Sequence, residues 1–322
     1  MQDIFKNKNV LITGGTGSFG KKFTEIVMKK CKPKKLIIFS RDEMKQYEMQ
    51  KQFDYKNIRY FIGNIRDKER LHRAFNGVDV IVHAAALKIV PTAEYNPFEV
   101  VKTNIIGAEN IINVAIDNNV KKVIALSTDK AANPINLYGA TKLCAEKMFI
   151  SANNYSPHST RFSVIRYGNV VGSRGSVIPF FQKCKEKGVI PITDEKMTRF
   201  WITLEQGVNF VISSANQMKG GEIFIPKIPS MKITNLAKTI APRCKIKIIG
   251  MRPGEKLHET LLSSDDARFT VEKSDRFISY PELASISSRR TKGKFLPSSF
   301  KGYSSDNNKQ WLKSKELKNI LC

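Results

Sequence analysis

One stretch near the N-terminus, Thr13-Gly14-Gly15-Thr16-Gly17-Ser18-Phe19-Gly20, restricts the fold more than any other feature of this 322-residue chain. The apolar run Val10–Thr13 precedes it. A helical pattern with Phe19, Phe23, Ile26 and Val27 on one face follows it. Gly14, Gly17 and Gly20 fit G-x-x-G-x-x-G. Only glycine lets the backbone turn this sharply and lets an anion approach the helix N-terminus closely. A strand–turn–helix with this spacing at the first strand predicts dinucleotide binding.

The pattern downstream agrees. Apolar runs at Lys35–Ser40, Ile58–Ile62, Val78–His83, Lys122–Leu126 and Phe162–Arg166 alternate with helical patterns at Asp42–Phe53, Asp67–Phe75, Pro97–Asn119 and Tyr138–Asn153. Strands that are apolar throughout belong to a parallel sheet covered on both faces. The expected fold is therefore α/β: a Rossmann doubly wound parallel sheet with a smaller C-terminal substrate-binding lobe. The expected division is a nucleotide-binding domain over 1–168, rejoined by 202–226, and a substrate lobe and tail over 169–201 and 227–322. Helices are expected at Ile202–Asn216 and Thr234–Ile240, and strands at Ile223–Ile225 and Lys245–Ile249.

Charge narrows the function classes. The net charge is +25. A lysine-rich solvated surface, a site for anionic substrates and nucleic-acid binding all yield such a balance. The lysines are spread along the whole chain and no basic stretch is interleaved with stacking aromatics, so neither nucleic acid nor membrane is expected as a partner. The 5 cysteines form no CxxC pair and the 4 histidines show no metal-ligand spacing. This predicts reduced thiols, a cytoplasmic setting and no metal. No apolar run approaches the roughly 18 residues of a membrane span, and the short polar N-terminus leaves no room for a signal peptide.

Two segments carry chemistry. The second strand ends in Ser40-Arg41-Asp42, with Lys45 one helical turn on. An acidic residue at that strand end serves the ribose hydroxyls of NAD. A hydroxyl and two cations there suit the 2′-phosphate of NADP, with Asp42 read as the N-cap of the next helix. Thr128-Asp129-Lys130 closes the fifth strand, and Tyr138-Gly139-Ala140-Thr141-Lys142 opens the following helix. Tyr138 and Lys142 share a helix face. An ammonium beside the phenol is expected to lower its pKa, making Tyr138 a base for a sugar hydroxyl. A lone YxxxK is weak, but its place after the fifth strand strengthens it. Asp129 and Lys130 read either as a partly solvated pair or as the acid and base that eliminating water requires.

Longer stretches go further. TGGTGSFGK (Thr13–Lys21), SRDEMKQYEM (Ser40–Met49), HAAALK (His83–Lys88), ALSTDKAANPINLYGATKL (Ala125–Leu143), RYGNVVGSRGSVIPFF (Arg166–Phe181), PITDEKMTRFWITLEQGV (Pro191–Val208) and GMRPGEKLHE (Gly250–Glu259) closely resemble the 5-inverting UDP-N-acetylglucosamine 4,6-dehydratases. That family belongs to the extended short-chain dehydrogenase/reductases and opens pseudaminic acid synthesis. The resemblance spans nearly the whole chain and weakens between about Leu262 and Lys301. It implies NADP as cofactor, UDP-N-acetylglucosamine as substrate and a homo-oligomer. It implies that Tyr138 deprotonates the C4 hydroxyl as hydride leaves C4, that Lys130 removes the C5 proton, and that Asp129 protonates the departing C6 oxygen. Thr128 and Lys142 complete the catalytic set, and Lys130 is expected to be kept neutral by burial and by nearby positive charge.

The resemblance also implies cofactor contacts from Asn64, Ile65, Ala84 and Ala85 beside the glycine turn. It implies substrate contacts from Lys88, Asn169, Arg174, Gly175, Ser176, Val177, Ile178, Thr193, Arg199, Arg252 and Glu255. The three arginines suit a diphosphate; surface salt bridging is the plainer use of each. Asn64 and Ile89 depart from the family's usual Asp and His. A 4-epimerase or a retaining 4,6-dehydratase of the same fold, and a non-catalytic Rossmann binding protein, are the competing readings. The epimerase leaves Asp129 and Lys130 without work.

Overall fold

The computed structural model describes residues 3–156, 160–173, 177–280 and 294–321. The chain begins β1 (Asn9–Thr13), α1 (Ser18–Lys30), β2 (Lys35–Ser40), α2 (Glu43–Gln52), β3 (Ile58–Ile62), α3 (Lys68–Phe75), β4 (Val80–His83). It continues α4 (Val90–Tyr95), α5 (Pro97–Val101), α6 (Gly107–Asp117), β5 (Lys122–Thr128), α7 (Leu137–Tyr155), β6 (Arg161–Tyr167). Then come β7 (Asn169–Val170), α8 (Val177–Lys185), β8 (Val189–Ile192), β9 (Thr198–Ile202), α9 (Leu204–Gln217), β10 (Ile223–Pro226) and β11 (Ser230–Lys232). Last are α10 (Ile233–Ile240), β12 (Lys245–Ile248), β13 (Thr260–Leu262), α11 (Ser264–Ala267), β14 (Thr270–Glu272), β15 (Arg276–Ser279), β16 (Tyr303–Ser304) and α12 (Ser314–Leu321).

The main sheet has 9 strands in the order β14-β15-β10-β6-β5-β4-β1-β2-β3. It is parallel from β3 to β10. Side chains alternate across it. Val10 and Ile12 face a core shared with Phe23 and Val27 of α1 and Val208 and Val211 of α9. Leu11 and Ile81 face the opposite core with Leu71, Ile111 and Phe149. Both faces are thus sealed by helices, the doubly wound arrangement expected. The β10 strand joins the sheet beside β6. So do β14 and β15, which run antiparallel at the edge; the expected division put them in the substrate lobe. They are too short for periodicity to separate them from a loop. A third core gathers Ile178, Phe181, Ile190, Trp201, Leu236 and Leu317.

One expected element is broken. The helix read over Pro97–Asn119 is α5, a π-helical turn at Lys102–Ile106, and α6. Buried polar side chains occupy the turn. The Thr103 hydroxyl accepts from Arg66 and donates to the Glu99 carbonyl at 2.8 Å. Asn104 exchanges two hydrogen bonds with the Leu87 backbone, each 2.9 Å, and donates to Thr141 Oγ1. The extra residue of a π turn is often found at functional sites. Here it ties the loop after β4 to α7.

Candidate active site

The C-terminal ends of β1, β2, β4, β5 and β6 converge on one crevice, where open α/β sheets bind ligands. Gly14 has φ +67, and a Cβ there would lie 2.9 Å from the Ala85 nitrogen. The turn can therefore pass under the loop after β4 only as glycine. Gly17 is the N-cap of α1, and no side chain caps it. Thr16 is buried beside the turn, and Phe19 stacks on Phe23. Thr13 accepts at Oγ1 from the Ala84 and Ala85 N–H groups and pairs with His83 Nδ1 at 2.8 Å. Sequence reading missed this tie.

His83 is 2% exposed. Burial, then the Lys142 charge, lowers its pKa to about 3. Folded His83 thus stays neutral at a pH where unfolded histidine, near 6.5, takes a proton. Stability is intact above that pH and falls as pH drops toward 3. Between pH 7 and pH 5 this group should cost the wild type about 2 kcal/mol. Urea unfolding at the two pH values should show that difference shrinking in His83→Gln; an unchanged difference assigns the acid sensitivity elsewhere.

At the end of β2, Ser40 is buried and its hydroxyl accepts from Gln46 at 3.0 Å. Asp42 caps α2 through the Lys45 N–H, as expected. It also pairs with the Lys45 ammonium, so that charge is already partly spent. Arg41 is exposed and carries no ion pair among the described residues. Asn64 uses its amide oxygen to accept from the Arg66 N–H at 3.1 Å, leaving one lone pair. Ile65 is a core residue packed among Leu71 and Ile111.

The catalytic candidates form one connected group. A Cβ on Gly139 would lie 2.2 Å from the Lys130 carbonyl oxygen. Glycine there lets α7 begin against the turn Asp129–Ala131 and puts Tyr138 beside it. Asn136 caps α7 and holds the Gly254 carbonyl at 2.8 Å. Thr128 lies beside Tyr138 and donates to Asp129 Oδ1 at 2.9 Å. Lys130 Nζ lies 3.1 Å from Asp129 Oδ1 and 3.0 Å from Glu259 Oε1. Glu259 was not singled out in the sequence. Ser127 Oγ, Asp129 Oδ2 and Glu259 Oε2 are buried with no hydrogen-bond partner among the described residues. Buried oxygens left this way are costly.

Two electrostatic expectations are corrected. Burial works against the Lys130 charge, but Asp129 and then Glu259 outweigh it, so its pKa is raised rather than depressed. Tyr138 is pushed up to about 12 by burial, with Lys130 and Thr128 acting the other way. Lys142 is not the cation that serves it here: its Nζ donates to the Leu126 carbonyl at 2.7 Å. Burial lowers the Lys142 pKa to about 8, against the pull of Glu146.

The substrate candidates divide. Lys88 stands exposed at the rim, its pKa lowered by partial desolvation and then by Lys130. Asn169 pairs with Trp201 of β9 in the strand register. Thr193 donates to Met197 Sδ. Ile178 is 2% exposed in the third core, and Val177 packs against it. Arg199 is a correction. Its Nη atoms donate to the Thr198, Leu257 and Lys256 carbonyls, and Nε lies 3.8 Å from Glu259. A guanidinium so committed organises the segment before β13 rather than standing open as a diphosphate clamp. Arg252 is exposed, and Glu255 folds back to accept from its N–H at 3.2 Å. Arg174, Gly175 and Ser176 lie outside the described residues.

Comparison with known proteins decides the family. Residues 10–281 match the polysaccharide biosynthesis protein family. The UDP-N-acetylglucosamine 4,6-dehydratase (inverting) of Campylobacter jejuni strain 81-176 is 56% identical over 99% of this chain and 98% of its own length. The chain belongs to the UDP-N-acetylglucosamine 4,6-dehydratase (inverting) family. The X-ray structure of Pen from Bacillus thuringiensis shares the fold of this family member with a TM-score of 0.90 and 42% identity, over 99% of this chain and 98% of that one. A UDP-glucose 4-epimerase of Rickettsia typhi is 39% identical over 99% of this chain and 96% of its own length. No helix among the described residues of the dehydratase-family chain is long and apolar enough to cross a membrane.

Proposed function

We propose that the chain is a UDP-N-acetylglucosamine 4,6-dehydratase that inverts C5, opens pseudaminic-acid-type sugar synthesis, and works with NADP as a cytoplasmic homo-oligomer. The carrying observation is Lys130 Nζ held 3.1 Å from Asp129 beside Tyr138 and Thr128. An epimerase needs only the tyrosine; elimination needs an added acid and base.

The glycine turn from Gly14 to Gly20, with uncapped α1 behind it, fits a dinucleotide diphosphate. Ser18, Ala84 and Ala85 flank it, Asn64 and the Ile65 backbone border the adenine end, and Lys142 holds the ribose. A nicotinamide cofactor held there would supply a hydride acceptor for C4 and a hydride donor for C6. Tyr138, once ionised to the phenolate, takes the C4 hydroxyl proton at Oη; Lys130 is the nearby cation that favours that form. A proton shift from Lys130 Nζ to Asp129 Oδ1 then converts the resting ion pair into a neutral amine and a protonated acid with no change in net charge. The amine removes the C5 proton, and Asp129 gives its proton to the leaving C6 oxygen. As hydride reaches C6, C5 takes one proton on the opposite face, which balances the proton left on Tyr138. Lys88, Asn169, Thr193, Arg252 and Glu255, with Arg174 to Ser176, are assigned to the nucleotide-sugar.

Incubation with UDP-N-acetylglucosamine in heavy water tests the reading. The product should lack one water, carry deuterium at C5 and have the inverted configuration there. An isomer of unchanged mass assigns the chain to the epimerases, and a retained C5 configuration removes the inverting assignment.

For the cofactor, the open cation Arg41 favours a 2′-phosphate. Arg41→Ala should weaken NADP binding roughly tenfold, as loss of one charge-assisted contact implies, and leave NAD little changed. Nucleotide released from the denatured wild type should be mostly NADP; mostly NAD overturns the preference.

A further inference from the structure

One buried ionisable group at the centre of the site has no task in that scheme. Glu259 comes from the segment leading into β13, yet its carboxylate is as close to Lys130 Nζ as that of Asp129, 3.0 Å against 3.1 Å. Glu259 is 2% exposed and Asp129 1%. The second oxygen of each has no partner among the described residues. The Glu259 backbone is pinned: its N–H donates to Ser305 Oγ at 3.0 Å, and its carbonyl accepts from the Ser305 N–H at 2.8 Å. Ser305 Oγ in turn meets Thr198 Oγ1 at 2.7 Å. Packing does not account for this arrangement, because an apolar residue of similar volume is usually at least as stabilising as a buried ion pair.

We propose that Glu259 is a positioning residue for the dehydration, anchoring the Lys130 amine beside Asp129 and keeping it protonated until that proton passes to Asp129. The inference rests on the dehydratase reading. In the transfer one Lys130 N–H bond breaks and one Asp129 O–H bond forms. Glu259 remains anionic and accepts from the NH2 that is left. The other charged and titratable groups facing Lys130 are Tyr138 from α7, Arg199 from β9, Lys256 before β13, and Lys88 after β4. Arg199, Lys256 and Lys88 are cations. Removing the Glu259 charge therefore leaves the amine one counter-ion among three like charges, and the neutral form gains.

The test is trace acetylation of the holoenzyme with acetic anhydride at pH 8. Mass spectrometry of peptides then compares Lys130 with exposed Lys68. Only the neutral amine reacts, so the ratio reads the Lys130 proton directly. Glu259→Gln keeps shape and removes charge. It should raise Lys130 labelling at least about tenfold, the size expected from losing an adjacent opposite charge. It should lower kcat at least about tenfold through loss of the anchor, with KM and bound nucleotide unchanged. Glu259→Asp should fall between the two on both readouts, and it carries the test if Glu259→Gln does not fold. Labelling equal to wild type in a folded variant, or kcat equal to wild type, overturns the proposal; a purely structural glutamate leaves Lys130 labelling unmoved. A wild type that releases no dehydrated sugar fails the dehydratase reading instead, and the labelling still reports on the Lys130–Glu259 pair.

Discussion

Lys130→Met should lower dehydration of UDP-N-acetylglucosamine by roughly a thousandfold, within the range found when a general base is removed, while the protein keeps its nucleotide. Hydride removal at C4 calls on Tyr138, which the substitution does not touch. Removal of the C5 proton has no substitute base of suitable reach, since Lys142 is turned to the Leu126 carbonyl. The electrostatics sharpen the expectation. Lys130 bridges two carboxylates that are almost fully buried. Without it, Asp129 and Glu259 face each other with Arg199 and Lys256 as the nearby cations. Two like charges so placed repel each other. The variant should thus lose stability as well as activity. Lys130→Met combined with Glu259→Gln removes the repulsion and should regain the stability but not the turnover. Solvent deuterium entering C5 at the wild-type rate in Lys130→Met would remove Lys130 from the role of C5 base.

Much of this site is legible in the sequence because its signals are local. The glycine spacing at Gly14, Gly17 and Gly20 follows from one turn, and Asp42 and Asp67 cap their helices as their positions suggest. Tyr138 and Lys142 lie one helical turn apart. What escaped reading depends on contacts distant along the chain. Glu259 reaches Lys130 only after β13 pairs with β16 near Tyr303 and Ser304, far from Lys130 along the chain. The raised Lys130 pKa follows from Asp129 first and from the distant Glu259 second; burial and Lys142 argued for the opposite sign. Arg199 looked like a phosphate ligand by residue type, yet three carbonyls from Thr198, Leu257 and Lys256 had first claim on it. The π turn at Lys102–Ile106 inserts one residue into a helical period that otherwise reads as continuous.

The second large effect should come from behind the site. Arg166 is 2% exposed on β6 and is gripped at two points by Glu146 of α7, Nε to Oε1 at 3.1 Å and Nη2 to Oε2 at 2.6 Å. Its Nη1 donates to the Leu261 carbonyl at 3.0 Å and to Asp266 at 3.2 Å. One guanidinium therefore joins the helix that carries Tyr138 and Lys142 to the strand that follows Glu259. Glu146→Ala leaves that charge buried with Asp266 as its remaining anion, and Asp266 is partly exposed to water. Breaking such a pair from one side costs about 3–5 kcal/mol, which urea unfolding of the holoenzyme should register as a lower midpoint. Replacing both members, Glu146→Met with Arg166→Met, removes the stranded charge and should recover most of the loss, because the pair's desolvation cost disappears with it. The double variant should still turn over more slowly than wild type, since α7 then loses one of its ties to the segment that delivers Glu259 and keeps the Asn136–Gly254 bond. A loss below about 1 kcal/mol in the single variant, the range of solvated surface pairs, would show that water reaches Arg166 and that the link between the two catalytic segments lies elsewhere.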